Sequence, residues 1–126
     1  RRILLTERGA MFGYNNLVAD MRSLPILRSL GYPAVFDATH SVQLPGGAGD
    51  RSGGNSEWAP YLARAAVAAG CDAVFIETHL APATALCDKD TVMDFAVLRR
   101  LWRCLARIDE VAGRGELPED EEGGSG

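Results

Sequence analysis

No run of about 18 or more apolar residues occurs in the chain, so no membrane-spanning helix is expected. No basic leader with an apolar centre opens it; Arg1-Arg2 runs straight into the strand-like Ile3-Leu4-Leu5, which argues against a secretory signal. Cysteine is scarce: Cys71, Cys87 and Cys104 form no Cys-x-x-Cys pair. An odd number of thiols without an export signal points to reduced cysteines in a cytoplasmic protein. Nor is there a basic stripe with interleaved aromatics, so neither nucleic acid nor membrane is an expected partner. The first residue is not Met, and on that ground the chain is expected to be part of a longer protein.

What is present fits an ordinary globular protein: 126 residues, 47% hydrophobic and 24% charged. The formal net charge of −4 is unevenly placed. Glu116, Glu119, Asp120, Glu121 and Glu122 carry five negatives near the end, and without them residues 1–115 stand at +1. Two regions are therefore expected: a folded unit over 1–113 and an acidic, Gly-rich disordered tail over 114–126.

The chain echoes itself. Ala34-Val35-Phe36-Asp37-Ala38-Thr39-His40 recurs as Ala73-Val74-Phe75-Ile76-Glu77-Thr78-His79, and Ile3 to Gly9 has the same design of apolar start and polar end. Short apolar runs of this kind suit buried parallel strands. Helices are expected between them. One runs from a Ser23 cap to Leu30 with Pro25 in its first turn and Gly31 as its stop. A second runs from about Glu57 to Ala69, capped by Ser56 and ended by Gly70, with Trp58, Tyr61, Leu62, Ala65 and Ala69 as its apolar stripe. A third runs from about Thr91 to Ala112, ending at Gly113; Leu98, Leu101, Trp102, Leu105 and Ile108 form its inner face and Arg99, Arg100, Arg103 and Arg107 its solvated one. Strand-helix units repeated in this way mean an α/β fold with a parallel sheet. Three units are too few for a closed barrel, which needs eight.

Polar residues gather at the carboxyl ends of the three expected strands, where parallel α/β folds place their sites. If the echo sets the register, His40, Glu77 and His79 share one face, with Asp88 in the following loop. Such a set suits a divalent metal, or each group simply caps a strand end by hydrogen bonding. His79 suits a supporting or structural role better than that of a ligand. Arg8 offers a fork that matches phosphate or carboxylate, or it pairs with Glu7. The Gly-rich loop 43–55 either closes over a ligand or is a plain connector; it is not a Walker loop. Cys87 is read as an inert surface thiol, Cys71 and Cys104 as core residues.

Several strings together resemble the 3-deoxy-D-manno-octulosonate 8-phosphate (KDO8P) synthases. They are Thr6-Glu7-Arg8-Gly9, Phe12-Gly13-Tyr14-Asn15-Asn16-Leu17, Asp20 to Pro25, Phe36-Asp37-Ala38-Thr39-His40-Ser41-Val42-Gln43-Leu44-Pro45-Gly46-Gly47, Arg64 to Gly70, and Glu77-Thr78-His79. The resemblance spans roughly residues 2–110 and separates the chain from the related 3-deoxy-heptulosonate (DAHP) synthases. It implies the last three strand-helix units of a (β/α)8 TIM barrel, the front half being absent. It implies a cytoplasmic transferase of lipopolysaccharide sugar synthesis, oligomeric at full length, that condenses phosphoenolpyruvate with arabinose 5-phosphate. By carry-over His40, Glu77 and Asp88 would be the metal ligands in metal-dependent members, with His40 and Asp88 also counted as catalytic. Arg8, Asn15, Ser41 and Gln43 are substrate contacts. Cys87-Asp88-Lys89-Asp90 replaces the family's Ser/Cys-Asp-Gly-Pro, Ser56-Glu57-Trp58 stands for Arg-Glu-Phe, and Leu80 for Pro. The family's fourth metal position lies in the absent half, so the resemblance leaves metal dependence open. An isolated chain of this kind is expected to be inactive.

Overall fold

In the computed structural model, residues 2–46, 53–87 and 89–113 are described. Asp88, the centre of the Gly-rich loop and the acidic tail lie outside them. Three parallel strands form the main sheet: β1 (Leu5–Glu7), β4 (Ala34–Asp37) and β7 (Ala73–Phe75), in the order β1-β4-β7. The expected α/β class with a parallel sheet is therefore present. A helix follows each strand: α1 (Ser23–Ser29), α2 (Ala59–Ala68) and α3 (Phe95–Ala112). α1 packs on β1 and β4, and α2 on β4, β7 and α3. No helix among the described residues is long and apolar enough to cross a membrane.

β4 is central, and all four of its residues are buried. That explains its unbroken Ala-Val-Phe sequence, because a strand covered on both faces has no reason to alternate. Phe36, Leu24, Ala63, Ala66, Leu101 and Leu105 build the core on the helical side. Asp72 ties the entry of the sheet: its carboxylate accepts from Ala34 N–H at 2.9 Å and lies 3.3 Å from Arg28 Nε.

The helix stops fall at Gly31, Gly70 and Gly113, whose φ angles are +83°, +86° and +53°. Glycine reaches that left-handed region at little cost, which is why it closes helices. The starts differ from expectation. Ser23 is the first helical residue rather than the cap; its hydroxyl donates to Asp20 O at 2.6 Å. Asn55, not Ser56, caps the second helical segment by accepting from Glu57 N–H at 3.1 Å, and a 3-10 turn over Ser56–Trp58 leads into α2. α3 begins at Phe95, capped by the Asp94 carboxylate on Val97 N–H at 2.7 Å. Residues 91–94 stay outside the helix because Met93 is bonded to the segment after β7.

The inner face of α2 also departs from expectation. Ala59, Ala63, Ala66 and Val67 are buried, whereas Trp58 and Tyr61 are 52% and 58% exposed. Small side chains let α2 approach the sheet and α3 closely, and the bulky ones are left outside. On α3, Leu101 and Leu105 are buried as expected, Trp102 is exposed, and the four arginines face outward.

The structure adds an antiparallel hairpin, β2 (Ala10–Gly13) with β3 (Asn16–Val18), that no expectation covers. Tyr14 and Asn15 turn it with φ of 54° at both, the pattern of the tight turns that match strand twist. A second short hairpin pairs β5 (Gln43–Leu44) with β6 (Gly53–Gly54) at the base of the Gly-rich loop.

Cys71 is buried, as expected; Cys104 is partly buried and Cys87 exposed. Burial, with the charge of Asp72 adding, pushes the Cys71 thiol from 9.0 up to about 11. The reactive thiolate is thus about 100-fold rarer there at pH 8 than at an unshifted thiol. Iodoacetamide at pH 8 is expected to label Cys87 at least about 10-fold faster than Cys71. Peptide mass spectrometry over time reads this; equal rates at the two would contradict it.

Candidate functional site

The site grows from the carboxyl ends of adjacent strands. β4 ends at Asp37, and the chain then turns through a 3-10 segment at His40–Val42. The Asp37 carboxylate makes that turn. One oxygen accepts from Thr39 N–H at 3.1 Å and His40 N–H at 2.9 Å, and the other lies 2.7 Å from His40 Nδ1. An aspartate bonded to backbone two and three residues on is a standard local turn device. His40 is held from its face too, stacked on Phe75 with ring centroids 6.0 Å apart.

Beyond β7, Glu77 comes level with Thr39, whose hydroxyl accepts from Glu77 N–H at 2.7 Å. Glu77 O accepts from Met93 N–H at 3.0 Å. So placed, Glu77 Oε1 lies 3.6 Å from His40 Nε2. The register differs from the one the echo suggests. The echo aligns Phe36 with Phe75, but Phe75 pairs with Asp37, a shift of one residue. His79 does not join His40. Its Nδ1 lies 2.8 Å from Ala81 O and 3.0 Å from Ala81 N, so it organises its own loop.

The other candidates sit around this pair. At the end of β1, Arg8 Nη2 donates to Gln43 Oε1 at a long 3.5 Å. Glu7 accepts from Gly9 N–H rather than pairing with Arg8. Asn15 is exposed in the hairpin turn, with its Oδ1 facing Gly46 at the mouth of the Gly-rich loop. Ser41 is buried, and among the described residues its hydroxyl has no hydrogen-bond partner. Asp88 lies outside the described residues.

In metal-dependent members of the group the sequence strings resemble, a divalent ion would sit here. Donors about 2.0–2.2 Å from one ion can be at most about 4.4 Å apart, so the 3.6 Å between His40 Nε2 and Glu77 Oε1 fits a shared ion. Nitrogen plus carboxylate is also suitable donor chemistry. The pair alone is not a complete set: among the described residues, no group of three His, Cys, Asp or Glu could hold an ion.

Two functional residues are missed by reasoning from the sequence: Asp37, which grips His40, and Thr39, which sets the height of Glu77. The signal is there in Asp37-Ala38-Thr39-His40, since an aspartate at such spacing from a site histidine announces a side-chain-closed turn.

A parallel α/β unit with a His–Glu pair at its strand ends defines a site-bearing class of fold, and comparison with known proteins resolves which. The family model described as "DAHP synthetase I family" matches residues 1–112, and the chain belongs to that family. Among curated relatives, the 2-dehydro-3-deoxyphosphooctonate aldolase of Acidithiobacillus ferrooxidans is 56% identical over 119 residues, covering 94% of this chain and 42% of the relative. The protein of the same name from Geobacter metallireducens is 60% identical over 110 residues, covering 87% and 40%. That name denotes KDO8P synthase, the group the sequence strings resemble. This chain spans about two fifths of the length of these relatives. Two solved structures from Thermotoga maritima share the fold. One is a phospho-2-dehydro-3-deoxyheptonate aldolase (DAHP synthase): TM-score 0.71, 27% identity, 87% of this chain and 30% of that one. The other is a truncated 3-deoxy-D-arabino-heptulosonate 7-phosphate synthase: TM-score 0.73, 28% identity, 89% and 40%.

Proposed function

We propose that this chain is the site-bearing carboxyl-terminal part of a KDO8P synthase. Phosphoenolpyruvate, arabinose 5-phosphate and water give KDO8P and phosphate. The observation that carries it is the 3.6 Å approach of His40 Nε2 to Glu77 Oε1 at adjacent strand ends, in a chain whose relatives bear that enzyme's name. Carbon 3 of phosphoenolpyruvate bonds to the sugar's aldehyde carbon, whose oxygen takes a proton. Water oxygen adds at carbon 2, and phosphate leaves as the ketone forms. In this proposal the three parallel strands are the last three of a TIM barrel, and the full-length protein is a cytoplasmic oligomer serving lipopolysaccharide synthesis. β1 and β7 are both sheet edges among the described residues, and Phe75 on β7 is half exposed, which suits strands continuing on either side.

Arg8 is assigned to the anionic groups of phosphoenolpyruvate, because its guanidinium fork matches carboxylate and phosphate oxygens. Gln43, beside it, and Asn15, facing Gly46, are assigned to polar substrate contacts, with the Gly-rich loop as cover. The Ser41 hydroxyl adds a hydrogen-bonding group in a buried position. His40, Glu77 and Asp88 would hold a divalent ion, which when bound supplies electrostatic stabilisation of developing negative charge. His40 and Asp88 are the groups assigned to proton handling beside the reacting carbons.

The solved relatives favour one other reading, a DAHP synthase, which differs in using erythrose 4-phosphate as the acceptor. One experiment separates them. Residues 2–110 replace the matching segment of the Geobacter metallireducens relative, and phosphate release from phosphoenolpyruvate is followed with each sugar, with and without divalent metal. Turnover with arabinose 5-phosphate is expected. Turnover confined to erythrose 4-phosphate would move the assignment to DAHP synthase, and a folded but inert chimera would sink both. The 126-residue chain alone is expected to be inactive in the same assay.

A further inference from the structure

We infer that Asp37 is a positioning residue that sets the tautomer and aim of His40, presenting an unprotonated Nε2 to the point it shares with Glu77. The inference rests on the assignment of His40 as a ligand for its purpose, though not for its geometry. A carboxylate accepts and does not donate, so the 2.7 Å contact at Nδ1 requires the imidazole proton to sit there. In the neutral ring Nε2 then carries the lone pair, and it is the nitrogen that faces Glu77. The carboxylate itself cannot swing. Its other oxygen is tied to two backbone N–H groups, and the side chain is 8% exposed. Phe75, Asp37's register partner on β7, stacks on one face of the ring with centroids 6.0 Å apart. The His40 ring is therefore fixed in direction, in plane and in proton location by groups that need touch no substrate. This is the arrangement by which a second carboxylate orients a metal-binding histidine.

The obvious variant is Asp37→Asn, which keeps shape and reverses one arm. Thr39 and His40 N–H groups still require an oxygen, so the amide NH2 is left facing Nδ1. The ring must then accept there and carry its proton on Nε2, as happens when the aspartate of a catalytic triad is amidated. Long-range 15N–1H NMR of the labelled 126-residue chain at pH 8 reads the tautomer directly, with His79→Gln assigning the two histidines. The wild-type chain is expected to show the proton on Nδ1 of His40, and Asp37→Asn to show it on Nε2. A wild-type chain protonated on Nε2 overturns the inference, and this arm stands even if the variant does not fold. A folded Asp37→Asn that keeps its proton on Nδ1 also overturns it. Binding of Mn2+ alone, followed by water-proton relaxation, is expected to weaken about 10–100-fold in Asp37→Asn. Equal Mn2+ affinity in a folded variant would overturn it as well. A wild-type chain that shows the expected tautomer but no Mn2+ binding counts against the metal assignment and leaves the positioning of His40 standing.

Discussion

Phe36→Ala is expected to cost about 3–5 kcal/mol of folding stability, the range for emptying a buried aromatic site. Phe36 is fully buried in the middle strand and is the largest side chain so enclosed. It lies level with Glu7 on β1 and Val74 on β7, so both neighbouring strands register against its position. β4 has no flexible side to collapse inward, since all four of its residues are buried, and the cavity would stay open. A domain of this size has roughly 5–15 kcal/mol in hand, so the variant loses about a fifth of it or more. Urea unfolding followed by circular dichroism measures the shift in midpoint. A loss below about 1 kcal/mol would show that β4 is not the centre of the core. The site should suffer with the fold, because Asp37 is the next residue and the whole His40 turn hangs from it.

The second large effect is at Gly54, whose importance comes from what lies beside it rather than from its backbone angles. A methyl group there would overlap Thr91 Cγ2 and also press on Val42 O at 3.3 Å. Thr91 is 2% exposed and has little room to turn aside. Overpacking of this kind costs about 1–3 kcal/mol. The strain would fall where the base of the Gly-rich loop meets the stretch leading to α3. There Ser56 N–H donates to Asp90 O at 3.1 Å and Asn55 N–H to Val42 O at 3.3 Å. Gly54→Ala is therefore expected to destabilise the chain and disturb the stretch that follows Asp88. Thr91→Ser, which removes the clashing methyl, should recover about 1 kcal/mol or more of that loss in a double-mutant cycle. If Gly54→Ala costs the same in both backgrounds, the contact is not the cause.

Much of the candidate site is legible in the sequence, and the parts that are not share one cause. His40 and Glu77 are marked by their place after apolar runs, because a polar group ending a buried strand has to have a purpose or a partner. Arg8 and Gln43 are marked by the family strings and emerge as neighbours. Asp37 carries a fainter mark, its spacing from His40, and at the end of a buried strand that mark is easily passed over. The 3-10 turn that brings Nδ1 to its carboxylate makes its role plain. His79 is misplaced by the echo because the echo extends the strand pattern past Phe75, where β7 ends. Beyond it the segment is bonded to Met93 and His79 to its own loop, so strand alternation no longer sets where His79 lies.

By itself the sequence determined the elements whose causes are local: three short apolar strands, the helix stops at Gly31, Gly70 and Gly113, the arginine face of α3, and family membership. Strand propensity, glycine geometry and charge need only a few residues to act, so they can be read from those residues. Tertiary structure alone decided the register between β4 and β7 and the burial of alanines rather than Trp58 and Tyr61 on α2. Each of these depends on which surface comes to lie opposite. Packing between segments distant in the chain sets that, and no local pattern encodes it.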